Sequence, residues 1–165
     1  MYRLSERFGK DPYKVQLTRA GWLGNVLEAQ IRKSGELTFV NSMSDTFHKD
    51  ISDLQLDVWF GHFKAHPEKQ FQILTKRPER AVEYFKTRKV PDNCWIGTSV
   101  GMAAAKHRID ELRQINAKIR FLSCEPLIED LGPLNLQGIH WVIIGGESDY
   151  KAPRPMDPGW VEMII

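Results

Sequence analysis

The chain has 165 residues, of which 42% are hydrophobic and 27% charged, with a formal net charge of +2. That length suits one domain with a real hydrophobic core, and the balance argues against disorder. No apolar run approaches the ~18–20 residues needed to cross a bilayer, the N-terminus lacks the apolar centre of a secretory signal, and the charge is too small to single out a nucleic-acid or membrane partner. A cytoplasmic location is expected, with no membrane partner and a nucleic-acid partner left open.

Residues 1–36 read as an N-terminal helical and extended segment leading into a core over 37–165, all in one domain. Leu23, Val26, Leu27 and Ile31 follow the i, i+3, i+4, i+8 spacing of a buried helix face. From there one unit recurs: an apolar, β-branched or aromatic run ends in a small polar cluster, and a helical pattern usually follows. The strand-like runs are Leu37–Asn41, Phe71–Thr75, Cys94–Thr98, Ile119–Ser123 and Ile139–Ile144. Between them, Ile51, Leu54 and Val58 mark a helix with Asp50 as its N-cap and Trp59 and Phe63 widening its face. Pro78 opens a helix carrying Ala81, Val82 and Phe85. Ala105, Ile109 and Leu112 mark another, with Arg108 and Glu111 facing water. The link from Ile128 to Gly138 reads as loop. Cys94 and Cys124 lie far apart in apolar runs and read as buried free thiols; neither a disulfide framework nor a metal site is expected.

Strands alternating with helices imply right-handed βαβ units and a parallel sheet. A doubly wound sheet and a β/α barrel both satisfy this, and the barrel is favoured because it gathers polar strand ends around one mouth. The dinucleotide-binding form of the doubly wound sheet lacks its Gly-rich fingerprint here. Five strands make only a partial (β/α) barrel, because a complete eight-unit barrel typically takes ~250 residues. Asp157-Pro158 opens a last helix that runs only about two turns to Ile165, so the barrel is expected to be incomplete at both ends and the chain truncated.

The polar clusters supply the candidate site residues. His62 and His66 share a helix face, but Phe63 stands where a zincin has Glu, and the pair reads as surface histidines. Lys76 and Arg77 follow the second strand, where two cations suit a phosphate or carboxylate. Asn41, Ser44 and Asp45 form a cluster that suits a ribose or amino group, or caps the next helix. Ser99 follows the third strand. Glu125 follows a strand expected to be buried, where a carboxylate needs a partner or a chemical task. Gly145-Gly146-Glu147 follows the fifth, either as a turn or as a close backbone approach to a ligand.

Six segments occur in a characteristic order: Phe39-Val-Asn-Ser-Met-Ser-Asp45, Ile73-Leu-Thr-Lys-Arg-Pro-Glu-Arg80, Trp95-Ile-Gly-Thr-Ser-Val100, Phe121-Leu-Ser-Cys-Glu-Pro-Leu127, Trp141-Val-Ile-Ile-Gly-Gly-Glu-Ser148 and Arg154-Pro-Met156. Together they resemble the phage-associated, radical-SAM-like family of phages and prophages, some bacterial members of which neighbour a three-Cys-motif partner gene. The resemblance runs from about residue 37 to the C-terminus. It implies a radical-SAM-like partial barrel. In intact members it implies S-adenosylmethionine (SAM) and a [4Fe–4S] cluster held by a loop of closely spaced cysteines. This chain has no cysteine before Cys94, so no cofactor is expected for it as it stands.

The resemblance places Asn41, Ser44 and Asp45 where the methionyl end of SAM is met, and Ser99 and Glu125 along the cofactor or substrate pocket. With the strand-end argument this gives Glu125, Lys76 and Glu147 as candidate catalytic residues. Asn41, Ser44, Asp45, Ser99, Arg77, Gly145 and Gly146 are candidate cofactor-binding residues. The expected function is that of an uncharacterised phage protein resembling the middle of a radical-SAM-like enzyme. The alternatives are a non-catalytic nucleotide- or anion-binding module and a cluster-independent barrel enzyme acting on a phosphorylated metabolite. The expected partners are a small-molecule or nucleotide ligand and, through open sheet edges, a second copy or a covering protein.

Overall fold

The computed structural model describes residues 24–41, 44–148 and 151–164. Their elements run α1 (Gly24–Lys33), β1 (Leu37–Val40), α2 (Asp53–Ala65), β2 (Gln70–Thr75), α3 (Pro78–Phe85), β3 (Cys94–Ser99), a 3₁₀ turn (Ala103–Ala105), α4 (His107–Arg113), β4 (Ile119–Cys124), β5 (Trp141–Ile144) and α5 (Pro158–Ile164). The five strands pair in sequence order and all in parallel. The sheet curls into a half-barrel, the partial-barrel form expected from the alternating pattern. Leu23 and the side chain of Val26, expected on the buried face of the first helix, lie outside the described residues, as does most of the 1–36 segment. No helix among the described residues is long and apolar enough to cross a membrane.

Successive side chains on a strand point to opposite faces, so each strand feeds two environments. On the face packed by helices, Phe71 and Ile73 of β2, Cys94 and Ile96 of β3, and Leu122 and Cys124 of β4 are fully buried. The Phe71 ring stacks on Phe63 of α2 at 4.4 Å, and Phe47, Phe60, Tyr84 and Phe85 pack a cluster between α2 and α3. The Asn93 amide group ties the end of α2 to the sheet, donating to the Phe63 and His66 carbonyls at 2.8 and 2.9 Å. Those carbonyls are among the orphan acceptors that every helix C-terminus leaves.

Two expectations about helices need correction. The N-cap of α2 is Ser52, not Asp50. Its backbone N–H donates to Gln55 Oε1 at 2.8 Å, and the Gln55 backbone N–H donates back to the Ser52 hydroxyl, which completes a capping box. The buried stripe is Leu56, Trp59, Phe60 and Phe63, while Leu54 is 65% exposed. The aromatic stripe wins because it removes far more apolar area from water. In α4, Arg108 does not simply face water: its guanidinium reaches back to the Ser99 carbonyl at 2.9 Å, and Glu111 carries a buried carboxylate oxygen. Pro78 at the start of α3, the loop from Ile128 to Gly138 and the two buried free thiols match expectation.

Candidate functional site

Strand register arranges the other face of the sheet, the concave one, into transverse rows. The lower row reads Phe39, Gln72, Trp95, Ile119 across β1 to β4. The next reads Leu74, Gly97, Phe121, Trp141 across β2 to β5. Above it Ser99 pairs with Ser123 and Ser123 with Ile143. Lys76 follows Thr75, the last paired residue of β2, and Glu125 follows Cys124, the last of β4, beside Gly145, so both stand at the C-terminal rim.

The floor below the rim is aromatic. The Phe121 ring lies directly over Gly97, where any Cβ would collide with it. Trp141 is 40% exposed and meets Trp95 edge-on, with ring centroids 6.1 Å apart and planes at 87°, and sits 5.8 Å from Phe121. At the rim, the Glu125 carboxylate lies over Gly145, in the space a Cβ there would fill. Leu127 N–H donates to the Gly145 carbonyl at 2.8 Å and so holds the β4 and β5 exits side by side. The Glu125–Pro126 peptide is cis. Glu125 is exposed and, like Lys76, makes no side-chain hydrogen bond or ion pair among the described residues. Ser99 and Ser123 are buried between them.

The remaining candidates fall into two other groups. Asp45 is a latch. Its Oδ1 accepts from the Thr75 hydroxyl at 2.7 Å and the Phe47 N–H at 2.9 Å; its Oδ2 accepts from the Lys76 N–H at 3.0 Å and the Arg77 guanidinium at 2.9 Å. Asp45 and Arg77 are thus paired with each other within the chain. Asn41, with φ at 56°, donates from Nδ2 to the Thr46 hydroxyl at 3.0 Å, and the exposed Ser44 follows in the same turn. Glu147 is bound by Arg154, whose Nε and Nη2 lie 2.9 and 2.5 Å from its two oxygens. This ion pair holds the Glu147 carboxyl down at about 2. Gly146 is exposed, with Met156 in ordinary contact range of a Cβ placed there.

Lys76, Ser99, Glu125 and Gly145 therefore share one rim, while Asp45 with Arg77, and Glu147 with Arg154, form separate pairs. Reasoning from strand ends missed Ser123, Arg154 and the concave residues Phe39, Gln72, Trp95, Phe121 and Trp141. The period-2 series Trp95-Gly97-Ser99 and Phe121-Ser123-Glu125 carry that signal, because alternate residues must share a face. A depression of about 550 Å³ opens at the opposite ends of the strands, lined by Lys64, Gln70, Asn93, Trp95 and Lys118 among others. Its Asn93 amide is occupied by helix carbonyls and its Lys89 pairs with Asp92, while Lys64 and Lys118 on its lip are exposed.

The rim combines an ammonium, a carboxylate and two hydroxyls above an aromatic floor. Such a set has the chemistry to meet a small ligand bearing both charges through charge-assisted hydrogen bonds. No curated protein and no solved structure matches the chain. The family described as "Protein of unknown function (DUF5131)" matches residues 4–165, and the chain belongs to that family.

Proposed function

We propose that the chain is a small-ligand-binding β/α half-barrel whose rim takes a zwitterionic ligand of the S-adenosylmethionine kind, in keeping with its resemblance to phage-associated radical-SAM-like proteins. The observation that carries this reading is the pair of exposed opposite charges, Lys76 and Glu125, that stand just past the C-terminal ends of β2 and β4 and have no side-chain partner among the described residues. Lys76 takes the ligand's carboxylate and Glu125 its ammonium. Their strands are two spacings apart, roughly 10 Å, which two long side chains bridge to one amino-acid head. The aromatic floor beneath gives the rest of the ligand an apolar surface to pack on.

A [4Fe–4S] cluster is a different matter. Its usual ligands are three or four thiolates. The chain's two cysteines, Cys94 and Cys124, face the helices rather than the rim, and burial raises the thiols to about 12 and about 11. These residues do not fit a cluster. What the rim residues do is bind and orient.

Calorimetric titration with SAM, S-adenosylhomocysteine and methionine tests the reading. The parent protein should bind at least one of them, and Glu125→Gln and Lys76→Ala should each weaken binding about tenfold or more with little change in Tm. Absence of binding to all three, or variants that bind as the parent does, would sink it.

A further inference from the structure

We propose a second subsite lower on the concave face, in which Gln72 reads the edge of an adenine ring held between Phe39 and Trp95. Gln72 is only 7% exposed, and its Nε2 is a buried amide donor with no hydrogen-bond partner. Among the described residues its Oε1 has none either. A buried amide left unpaired is costly, and native proteins keep few of them. Phe71 on one side of it and Ile73 on the other point into the helix-packed core, so Gln72 points to the concave face.

Its row supplies the walls. Phe39 is its register partner on β1 and stays 43% exposed, although it is a large apolar residue. Trp95 is its partner on β3, with the indole N–H donating to Gln70 Oε1 at 3.1 Å. Phe39 and Trp95 are two strand spacings apart, roughly 10 Å at the backbone and less toward the inside of a curled sheet. An aromatic ring sandwiched between two others needs about this gap, since stacked centroids prefer 4.5–7 Å. Gln70, two residues before Gln72 on β2, and Trp95 also line the depression of about 550 Å³ at the lower strand ends.

The amide selects the base. A glutamine side chain presents a donor and an acceptor side by side, which adenine matches with N7 and its N6 amino group. Inosine replaces that amino group by an oxygen and opposes Gln72 Oε1 with another acceptor. Aromatic walls of this kind stack a base without regard to the rest of the ligand. The subsite stands on residues distinct from Lys76 and Glu125, so it and the rim reading fail separately.

The test is equilibrium binding of adenosine and inosine to the whole chain, followed by tryptophan fluorescence and calorimetry, with Gln72→Leu and Phe39→Ala. Adenosine should bind the parent about tenfold more tightly than inosine, and each variant should lose tenfold or more in adenosine affinity. Gln72→Leu should at the same time raise Tm, because it removes the orphaned amide, which separates lost binding from lost folding. The proposal is overturned if adenosine does not bind, if Gln72→Leu binds it as the parent does, or if Glu125→Gln abolishes adenosine binding while Gln72→Leu leaves it intact. That last result would put the nucleoside on the rim.

Discussion

Glu147 and Arg154 form a two-point ion pair, reinforced by the Arg154 backbone N–H, which donates to Glu147 Oε2 at 3.0 Å. Together these bonds hold the Glu147 carboxyl at about 2, against an ordinary value of 4.5. A group whose folded pKa is depressed stabilises the fold above its unfolded value, and that contribution fades as pH falls from about 4.5 toward 2. A carbon-detected NMR titration should show Glu147 ionising near pH 2, and Arg154→Ala should return it toward the ordinary range. An ordinary midpoint in the parent would mean that the pair does not persist in solution.

Asp45 joins the exit of β1 to the exit of β2. Four donors converge on its carboxylate, and its side chain is only 15% exposed. Asp45→Ala leaves the Thr75 hydroxyl and the Arg77 guanidinium without their acceptor and should cost about 2–4 kcal/mol. Asp45→Asn keeps one acceptor oxygen and should cost less. Urea denaturation of the three proteins measures both values. A change under half a kilocalorie for the alanine variant would show the latch to be dispensable.

The strands were readable because each is an apolar, β-branched run closed by polar residues, and the helices between the first four favour parallel pairing. Composition does not say which face a strand-end residue takes. Thr75 and Lys76 are neighbours, yet Thr75 is buried against Asp45 while Lys76 is exposed. Cys124 and Glu125 divide in the same way. A shift of one residue reverses every assignment, so the site needed register as well as sequence. The Glu147–Arg154 pair crosses an irregular segment with no periodicity to read. In α2, two apolar stripes overlap in one sequence, and only packing against Phe71 and Tyr84 decides between them.

Two glycines near the rim should respond differently to alanine. At Gly145 the new methyl meets the end of the Glu125 side chain, which can swing aside; at Gly101 it meets the Pro126 backbone carbonyl, which cannot. Gly145→Ala should leave Tm nearly unchanged while displacing Glu125 and weakening binding at the rim. Gly101→Ala should lose about 1–3 kcal/mol of stability, the usual range for overpacking. Thermal melts paired with ligand titration separate the two. Equal loss of stability in both variants would contradict the geometry.

Cys94 and Cys124 are fully buried, and desolvation is the main cause that raises both thiols, Cys94 to about 12 and Cys124 to about 11. The thiolate is the reactive form, so at pH 8 neither should react with a disulfide reagent on the minute scale in the native protein. Both should react promptly in concentrated urea. Anaerobic treatment with iron and sulfide should leave this chain without a stoichiometric cluster. Fast native reaction of either thiol, or a charge-transfer band that survives desalting, would overturn the placement of these residues.

The last expectation concerns pH and the attachment of α1. His66, on the turn after α2, has a carboxylate at each ring nitrogen: Glu28 of α1 lies 3.0 Å from Nε2 and Glu68 lies 2.9 Å from Nδ1. Glu28 is also contacted by His62 at 3.1 Å and Arg32 at 2.9 Å. A neutral imidazole has one N–H and can serve only one of those carboxylates, whereas the protonated ring serves both. Its pKa is accordingly raised, first by Glu28 and then by Glu68. The reciprocal bonds, His66 foremost, lower Glu28 to about 2. The His66 contribution is complete below 6.5 and fades as pH rises through the raised value. The Glu28 contribution is present above 4.5 and fades as pH falls toward 2. The clasp is therefore strongest between about pH 4.5 and 6.5. Hydrogen exchange in residues 24–33, corrected for intrinsic rates, should be slowest in that window and should lose its pH dependence in Glu28→Gln. A flat profile in the parent, or the same profile in the variant, would show that these histidines do not hold α1 to α2.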